Sequence, residues 1–222
     1  MKIITETQRD PAWHAARVGM LTGSSAADVL AVVKSGEAAA RRDLRLRLMC
    51  ERLTGQCQED GFVNAAMQRG IEKEPEAFAA YEALTGNLAQ PVGFVAHDVL
   101  PAGCSPDGQI DGWAGILELK APKSATHLGY LRAGKVPSTY LPQIMHNLWI
   151  TGAAWCDFLS FDERLGPGLS VFYARVHRED VDLAAYELAA RLFLSEVEKE
   201  MQQLQALAHR LSCDRRATTV PV

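Results

Sequence analysis

The sequence lacks any pair of cysteines at the spacing of a metal site, and its cysteines are scattered along the chain. The five are Cys50, Cys57, Cys104, Cys156 and Cys213. An odd number without a C-x-x-C pair argues against zinc, iron–sulfur and disulfide frameworks. The chain also lacks an apolar run of about 20 residues, the length that spans a bilayer, and a basic-then-apolar leader. We therefore expect a cytoplasmic protein with reduced, mostly buried thiols.

Positive charge is not in excess either. The 23 lysines and arginines stand against 27 aspartates and glutamates, a net charge of −4. Proteins that coat nucleic acid usually carry a strong positive excess, so that class is disfavoured, whereas an enzyme with a locally basic groove is not. Residues 34–52 hold six basic and three acidic side chains, a local charge of +3. A solvated helix face with ion pairs is the alternative explanation of this stretch.

The order of helical and extended patterns defines the fold class. No repeat or linker divides the chain, so we predict one domain over residues 1–210 and a loose tail over 211–222. The predicted helices are 10–17, 24–33, 37–54, 64–85 (kinked or restarted at Pro75), 124–133, 137–151 and 179–209. The predicted strands are 92–96, two within 102–120, 154–161 and 169–177. This order predicts an α/β fold with a central mixed five-stranded sheet flanked by helices.

Candidate chemistry concentrates where Asp107 is followed, after ten intervening residues, by Glu118 and Lys120. In the predicted strand ILELK, alternation puts Glu118 and Lys120 on one face and Leu117 and Leu119 on the other. A glycine-containing turn brings Asp107 back toward Glu118. Neighbouring carboxylates repel each other, and a hard cation such as Mg²⁺ relieves that repulsion. The Leu119 carbonyl is a further candidate ligand, and Lys120 would orient or deprotonate a water or neutralise developing charge.

This spacing alone leaves two interpretations open, because Glu-x-Lys is also common on ordinary amphipathic edge strands. Glu74 adds a separate indication, since it falls on the apolar stripe of Ile71, Phe78 and Tyr81. A carboxylate there is costly unless it is paired or bound to metal. A partly exposed glutamate beside a proline is the alternative.

Five motifs in a fixed order resemble the phage lambda exonuclease (YqaJ-like recombinase) family of PD-(D/E)xK nucleases. Residues 13–24 are similar to its opening W-x-x-x-R-x-G-x-x-T-x-S pattern, and GIEKE at 70–74 is similar to its G-x-x-x-E element. CSPDG at 104–108 and LELKAP at 117–122 resemble the nuclease core. YLPQ at 140–143, followed by WITG, is similar to the helix that carries the family's glutamine.

The resemblance implies a restriction-endonuclease-like core and assigns roles to residues. Asp107, Glu118 and the Leu119 carbonyl would bind metal, Lys120 would assist hydrolysis, and Glu74 would complete the acidic cluster directly or through water. The residues that would hold a terminal 5′-phosphate are Arg17, Ser24, Ser105 and Gln143. An arginine fork with hydroxyl and amide donors suits a phosphate monoester. Taken singly, these are also typical of a surface arginine, a helix cap and a polar helix residue.

For function, the resemblance implies a metal-dependent 5′→3′ exonuclease that degrades one strand of linear double-stranded DNA to mononucleotides. It would leave a 3′ single-stranded overhang for recombination by strand annealing. Mg²⁺, or Mn²⁺ in its place, would bind as two ions per site. Family members form trimeric rings around DNA and act with a single-strand annealing protein, so both assemblies are expected. Arg45 and Arg47, in the basic stretch, would line the DNA path.

Three alternatives remain. A site- or structure-specific endonuclease on the same core would not need the 5′-phosphate residues. A non-catalytic DNA-binding relative would not need Asp107, Glu118 and Lys120 intact. An iron–sulfur nuclease would need its cysteines clustered.

Overall fold

Two sheets organise the chain. A computed structural model describes residues 1–5, 8–58 and 65–218, and within these it places nine strands and seven α-helices. The strands are β1 (Lys2–Ile4), β2 (Leu21–Thr22), β3 (Ala89–Pro91), β4 (Phe94–Ala96), β5 (Ala102–Cys104), β6 (Gly108–Ile110), β7 (Gly115–Lys120), β8 (Trp155–Phe161) and β9 (Val171–His177). The helices are α1 (Pro11–Arg17), α2 (Ala26–Val29), α3 (Ala39–Thr54), α4 (Ala65–Thr85), α5 (Ser124–Ala133), α6 (Leu141–Thr151) and α7 (Leu183–Thr218).

The larger sheet has five strands in the order β3-β6-β7-β8-β9. The β7–β8 pair is parallel, and the other three pairs are antiparallel. The prediction of a mixed five-stranded sheet flanked by helices is therefore confirmed. Its membership differs at one edge, where β3 takes the place expected for the strand near residue 94. β3 has only three residues and contains Pro91, which an edge strand tolerates because its N–H side can lack a partner.

The smaller sheet was not predicted. It has four strands in the order β1-β4-β5-β2, and β2 pairs with β5 through only two residues of each strand. Strands of two or three residues are too short to show alternation in the sequence. Residues 102–120 consequently hold three strands, rather than the two expected, and β5 belongs to a different sheet from β6 and β7.

Several helices differ in length from the prediction. The segment predicted as helix 24–33 is a 3₁₀ turn, Gly23–Ser25, followed by the short α2. α4 continues through Pro75 as one helix, and its expected first residue, 64, lies outside the described residues. α7 passes its predicted end at 209 and continues to Thr218, so the tail expected to be loose is helical to that point. Residues 219–222 lie outside the described part.

The alternation of side chains along β7 decides which face of the sheet carries Glu118. Leu117 and Leu119 pack with Ala77 and Tyr81 of α4 on one face. Ile116 joins the larger core on the other face, where α6 and α7 pack. Glu118 shares the face of Ile116, so its carboxylate is directed into the protein beneath α6.

The cysteines and the helix hydropathy add two further findings. Cys104 and Cys156 are buried, whereas Cys50 and Cys57 are exposed, so burial holds for only half of the thiols whose surroundings are described. None of the helices in the described residues is both long and apolar enough to cross a membrane.

Candidate active site

The β6–β7 hairpin brings Asp107 and Glu118 together. Gly108 pairs with Leu117, so Asp107, one residue before β6, lies opposite Glu118 in the ladder. The Asp107 N–H donates to the Leu117 carbonyl at 3.0 Å. Its Oδ2 atom accepts the Leu119 N–H at 2.5 Å. These two backbone contacts fix the aspartate at the end of the hairpin and confirm that the turn returns it to the strand of Glu118.

The electrostatics of this pair are unfavourable without a further cation. Burial, followed by the charge of Glu118, raises the pKa of Asp107 to about 7, and Lys120 offsets only part of that rise. Glu118 itself is 2% exposed. Two carboxylates that share a desolvated site disfavour each other's ionised form. Their carboxylate oxygens are the hard donors that Mg²⁺ and Mn²⁺ prefer, so the chemistry of this pair fits such an ion.

Both oxygens of Glu118 are held by side chains. Lys120 Nζ and Gln143 Nε2 donate to Oε1, the latter at 2.6 Å. Asn147 Nδ2 donates to Oε2 at 3.1 Å. The Lys120 ammonium also lies 5.3 Å from the centroid of the Tyr140 ring. Burial would lower the pKa of Lys120, but the charges of Glu118 and Asp107 outweigh this and raise it above its ordinary value.

Glu74 does not join this pair directly. Its Oε2 atom accepts from Arg9 at 3.1 Å, and its side chain is about a quarter exposed. It is near enough for its charge to add to the rise in the pKa of Asp107. Among the described residues, no three His, Cys, Asp or Glu side chains are gathered closely enough to hold a metal ion. The structure therefore assembles two of the three carboxylates that the sequence indicated.

Trp13 joins two of the four residues assigned to a terminal phosphate. Its indole Nε1 donates to Ser105 Oγ at 2.9 Å, across 92 positions of sequence. The Arg17 guanidinium carbon lies 4.2 Å from the centroid of the Trp13 ring. Because Ser105 is two residues before Asp107, this contact ties the arginine of α1 to the loop that leads into the carboxylate pair.

Ser24 and Gln143, the other two of these four residues, make different contacts. Ser24 Oγ is 3.0 Å from Thr22 Oγ1. Gln143 packs beside Gly23, where an added Cβ would lie 3.4 Å from its Cγ, and its amide is directed to Glu118. Gln143 thus stands between the Ser24 segment and the carboxylate pair.

Arg45 and Arg47 fall in different places. Arg45 forms an ion pair with Glu37 and a 2.8 Å ion pair with Glu200 of α7. It therefore links α3 to α7, away from Asp107 and Glu118. Arg47 donates to Ser25 at 2.7 Å. It also lines a small pocket, whose residues are His14, Arg17, Met20, Thr22, Arg47, Glu51 and Cys57. The structure therefore places Arg47, and not Arg45, beside Arg17.

Sequence reasoning gave no role to Trp13, Tyr140 or Asn147. The signal for two of them was available, because Tyr140, Gln143 and Asn147 follow the i, i+3, i+7 spacing of one helix face. Trp13 lay inside the opening motif, but its contact with Ser105 depends on tertiary packing.

Comparison with known proteins places the chain in a family. Residues 12–154 match the YqaJ-like viral recombinase domain. An alkaline exonuclease (LHK-Exo) from Laribacter hongkongensis superposes with a TM-score of 0.81 at 38% identity, over 91% of this chain and 100% of that one. The same enzyme in complex with dAMP gives 0.81 at 37% identity and the same coverage. A phage-related exonuclease from Haemophilus somnus 129PT shares the fold, with a TM-score of 0.60 at 14% identity over 85% and 96% of the two chains. The curated proteins contain no match.

The family match covers more than half of the chain, and the relative at 38% identity is covered over its whole length. The chain therefore belongs to the YqaJ-like viral recombinase family.

Proposed function

We propose that this protein is a metal-dependent 5′→3′ exonuclease acting on linear double-stranded DNA. The observation that carries the proposal is the placement of Asp107, Glu118 and Lys120 at one hairpin, with the Arg17–Trp13–Ser105 contact leading directly to it. Membership in the family, and the exonuclease activity named for a relative at 38% identity, support the same reaction class.

In this proposal Asp107, Glu118 and the Leu119 carbonyl hold Mg²⁺, with Mn²⁺ as a substitute, and two ions bind per site. Glu74 would have to leave Arg9, or act through a water, to complete the set. The ions would neutralise the charge of the carboxylates and of the phosphate under attack. Lys120 would donate to that phosphate or orient the attacking water, steadied by Glu118 and the ring of Tyr140.

A binding site for the terminal 5′-phosphate would distinguish an exonuclease from an endonuclease, because an internal phosphodiester presents no phosphate monoester to bind. Arg17 would bind the terminal 5′-phosphate with Ser24, Ser105 and Gln143. In the structure the Gln143 amide donates to Glu118, so it would bind the phosphate with its second N–H or by exchanging that partner. The position of Arg47 in the pocket of Arg17 adds a second cation to this region.

The assembly and products follow from the same proposal. The enzyme would release mononucleotides and leave a 3′ overhang for a single-strand annealing protein. The complex of the relative with dAMP, a nucleoside monophosphate, is consistent with such a product. A homotrimeric ring would suit a subunit with a net charge of −4, since enclosure rather than overall attraction would retain the DNA.

End-labelled linear duplex DNA tests the proposal. Digestion would compare 5′- and 3′-labelled strands, 5′-phosphate and 5′-hydroxyl ends, and reactions with and without Mg²⁺. Lys120→Ala is the test variant, and Lys199→Ala, an exposed lysine on α7, is the matched control. We expect metal-dependent release of 5′-labelled mononucleotide that is faster with a 5′-phosphate, lost in Lys120→Ala and retained in Lys199→Ala.

Two results would contradict this expectation. Internal cuts in circular DNA would indicate an endonuclease on the same core. DNA binding without hydrolysis under any metal condition would indicate a non-catalytic relative.

A further inference from the structure

Asn147 contacts Glu118 of the carboxylate pair, but it belongs neither to the proposed metal ligands nor to the proposed phosphate-binding residues. It lies on α6, its side chain is 1% exposed, and its Nδ2 donates to Glu118 Oε2 at 3.1 Å. Lys120 and Gln143 both donate to the other oxygen, Oε1. Among the described residues, Asn147 is therefore the side-chain donor that fixes the second oxygen and, with it, the rotation of the carboxylate group.

The orientation of the amide follows from the chemistry of its partner. An ionised carboxylate only accepts hydrogen bonds, so the NH₂ group of Asn147 faces Glu118 and its carbonyl oxygen points away. That Oδ1 atom is buried and accepts no hydrogen bond from the residues that the structure describes. A buried acceptor without a donor is unfavourable, so the strength of the Glu118 contact must offset its cost.

Gly23 provides the space for this arrangement. A Cβ added to Gly23 would lie 2.6 Å from Asn147 Oδ1, too close for the two atoms to coexist without a shift. The φ of Gly23 is not positive, unlike that of Gly19. Conformational freedom is therefore not the reason for glycine here, and close approach of the asparagine is.

We infer that Asn147 is a positioning residue that sets the orientation of the Glu118 carboxylate, and that Gly23 is required because Asn147 packs against it. The segment Gly23–Ser25, which carries Ser24, is thereby coupled mechanically to the carboxylate pair. The consequence for catalysis rests on the proposed exonuclease activity, whereas the consequence for cation binding rests only on the metal site proposed with it.

The experiment uses four variants of the full chain: Asn147→Ala, Gly23→Ala, the double variant and Thr151→Ala. Thr151 is the matched control, because it is buried one turn further along α6. Its hydroxyl donates to the backbone carbonyl of Asn147 rather than to Glu118. Calorimetry with Mn²⁺ measures cation affinity without DNA. Steady-state kinetics on 5′-phosphorylated duplex separates kcat from KM, and thermal unfolding reports stability.

We expect Asn147→Ala to weaken Mn²⁺ binding and to lower kcat, each by about tenfold, because partners that orient metal ligands have effects of that order. KM for DNA should stay within about twofold of wild type, since Asn147 is buried and its NH₂ group contacts Glu118. Gly23→Ala should show the same pattern by displacing Asn147. The double variant should be no worse than either single one, because removing Asn147 makes room for the new methyl group. Thr151→Ala should lower the Tm without weakening Mn²⁺ binding.

Several outcomes would overturn the inference: wild-type Mn²⁺ affinity in Asn147→Ala, an equal loss in Thr151→Ala, additive losses in the double variant, or no Mn²⁺ binding by the wild type. The experiment distinguishes failure of this inference from failure of the proposed function. Asn147-dependent Mn²⁺ binding in a protein that leaves DNA ends intact would retain the inference and reject the exonuclease. Normal cation binding by Asn147→Ala in an active exonuclease would do the reverse.

Discussion

The central sheet carries buried carboxylates on two neighbouring strands, and their surroundings differ. Asp157 of β8, opposite Leu117 of β7, is fully buried and receives two hydrogen bonds from Arg175, at 2.7 and 2.9 Å. The hydroxyls of Tyr81 and Tyr173 donate to it as well, at 2.7 and 3.1 Å. Glu118 lies one strand away on β7, with Asp107 opposite it just before β6. Among the described residues, these two carboxylates share one ammonium, that of Lys120.

This difference separates a carboxylate that stabilises the fold from a pair that we propose takes part in the chemistry. A buried carboxylate with a guanidinium partner and two hydroxyl donors has its hydrogen-bonding capacity satisfied by its neighbours. In the Asp107–Glu118 pair, burial and the charge of Glu118 raise the pKa of Asp107 to about 7, as in acids whose surroundings do not offset their charge. Substitutions at the two places should therefore affect different properties of the protein.

The largest effect is expected from Asp107→Asn. We expect kcat on duplex DNA to fall by roughly 10³-fold, since one of the two carboxylates proposed to hold the cations is lost. The Tm should not fall, because the variant also removes a repulsion between neighbouring acids. Duplex digestion and thermal unfolding of the same preparation would measure both. A variant that unfolds at lower temperature and keeps its activity would reverse the assignment of the two regions.

Asp157→Asn should show the opposite pattern. The change leaves the Arg175 guanidinium with a neutral partner in a mostly buried position, and breaking such a pair costs about 3–5 kcal/mol of unfolding free energy. The side chain of Arg175 is 30% exposed, which points to the lower end of that range. Chemical denaturation gives the stability, and kcat at a temperature where the variant remains folded should stay near that of wild type. A large loss of kcat in the folded variant would show that Asp157 also serves the site.

His146 extends the comparison to pH. Its Nδ1 lies 2.7 Å from the Tyr186 hydroxyl and its Nε2 lies 2.9 Å from the Gly103 carbonyl. Burial, with a smaller opposing effect of the Gly103 carbonyl and a contribution from His97, lowers its pKa to about 4. Between about pH 6.5 and pH 4, His146 therefore binds a proton in the unfolded chain but not in the folded protein. The free energy of unfolding consequently falls as pH decreases through this interval.

The expected loss between pH 7 and pH 4 is up to about 3 kcal/mol from this group. Urea unfolding of wild type and of His146→Gln at pH 7, 5.5 and 4.5 measures it. The variant should be less stable at pH 7 and less sensitive to pH over this interval. Parallel curves for the two proteins would exclude His146 as the source.

The sequence predicted the carboxylate pair because a period of two is a local property of one strand. Alternation of Leu117 and Leu119 with Glu118 and Lys120 reproduces the observed faces of β7. Two- and three-residue strands carry no such period, which is why β3 and the smaller sheet were missed. The end of α7 was placed too early, because an exposed last helical segment has little apolar patterning to distinguish it from a tail.

Contacts between distant residues were not predictable in the same way. The Trp13–Ser105 and Asn147–Glu118 hydrogen bonds span 92 and 29 positions, and each depends on how helices pack against the sheet. The basic stretch at 34–52 shows the same limit, since charge alone does not show how each arginine is paired. Arg45 contacts Glu37 and Glu200, whereas Arg47 lies 3.7 Å from Glu51. The prediction that Arg45 and Arg47 both line a DNA path is still untested, but the structure gives them unequal surroundings.

The smallest expected effect follows from that inequality. Arg45→Ala removes ion pairs with Glu37 and Glu200 and should cost about 1 kcal/mol or less, with DNA affinity within about twofold of wild type. Arg47→Ala removes a cation from the pocket of Arg17 and should weaken binding of a 5′-phosphorylated end by about tenfold, and of a 5′-hydroxyl end by less. Fluorescence anisotropy with the two end chemistries, in Ca²⁺ to suppress hydrolysis, measures the difference.

Equal weakening of DNA binding by both variants would place Arg45 on the DNA path as well. Equal loss of affinity for 5′-phosphate and 5′-hydroxyl ends in Arg47→Ala alone would assign Arg47 to the duplex rather than to the terminal phosphate.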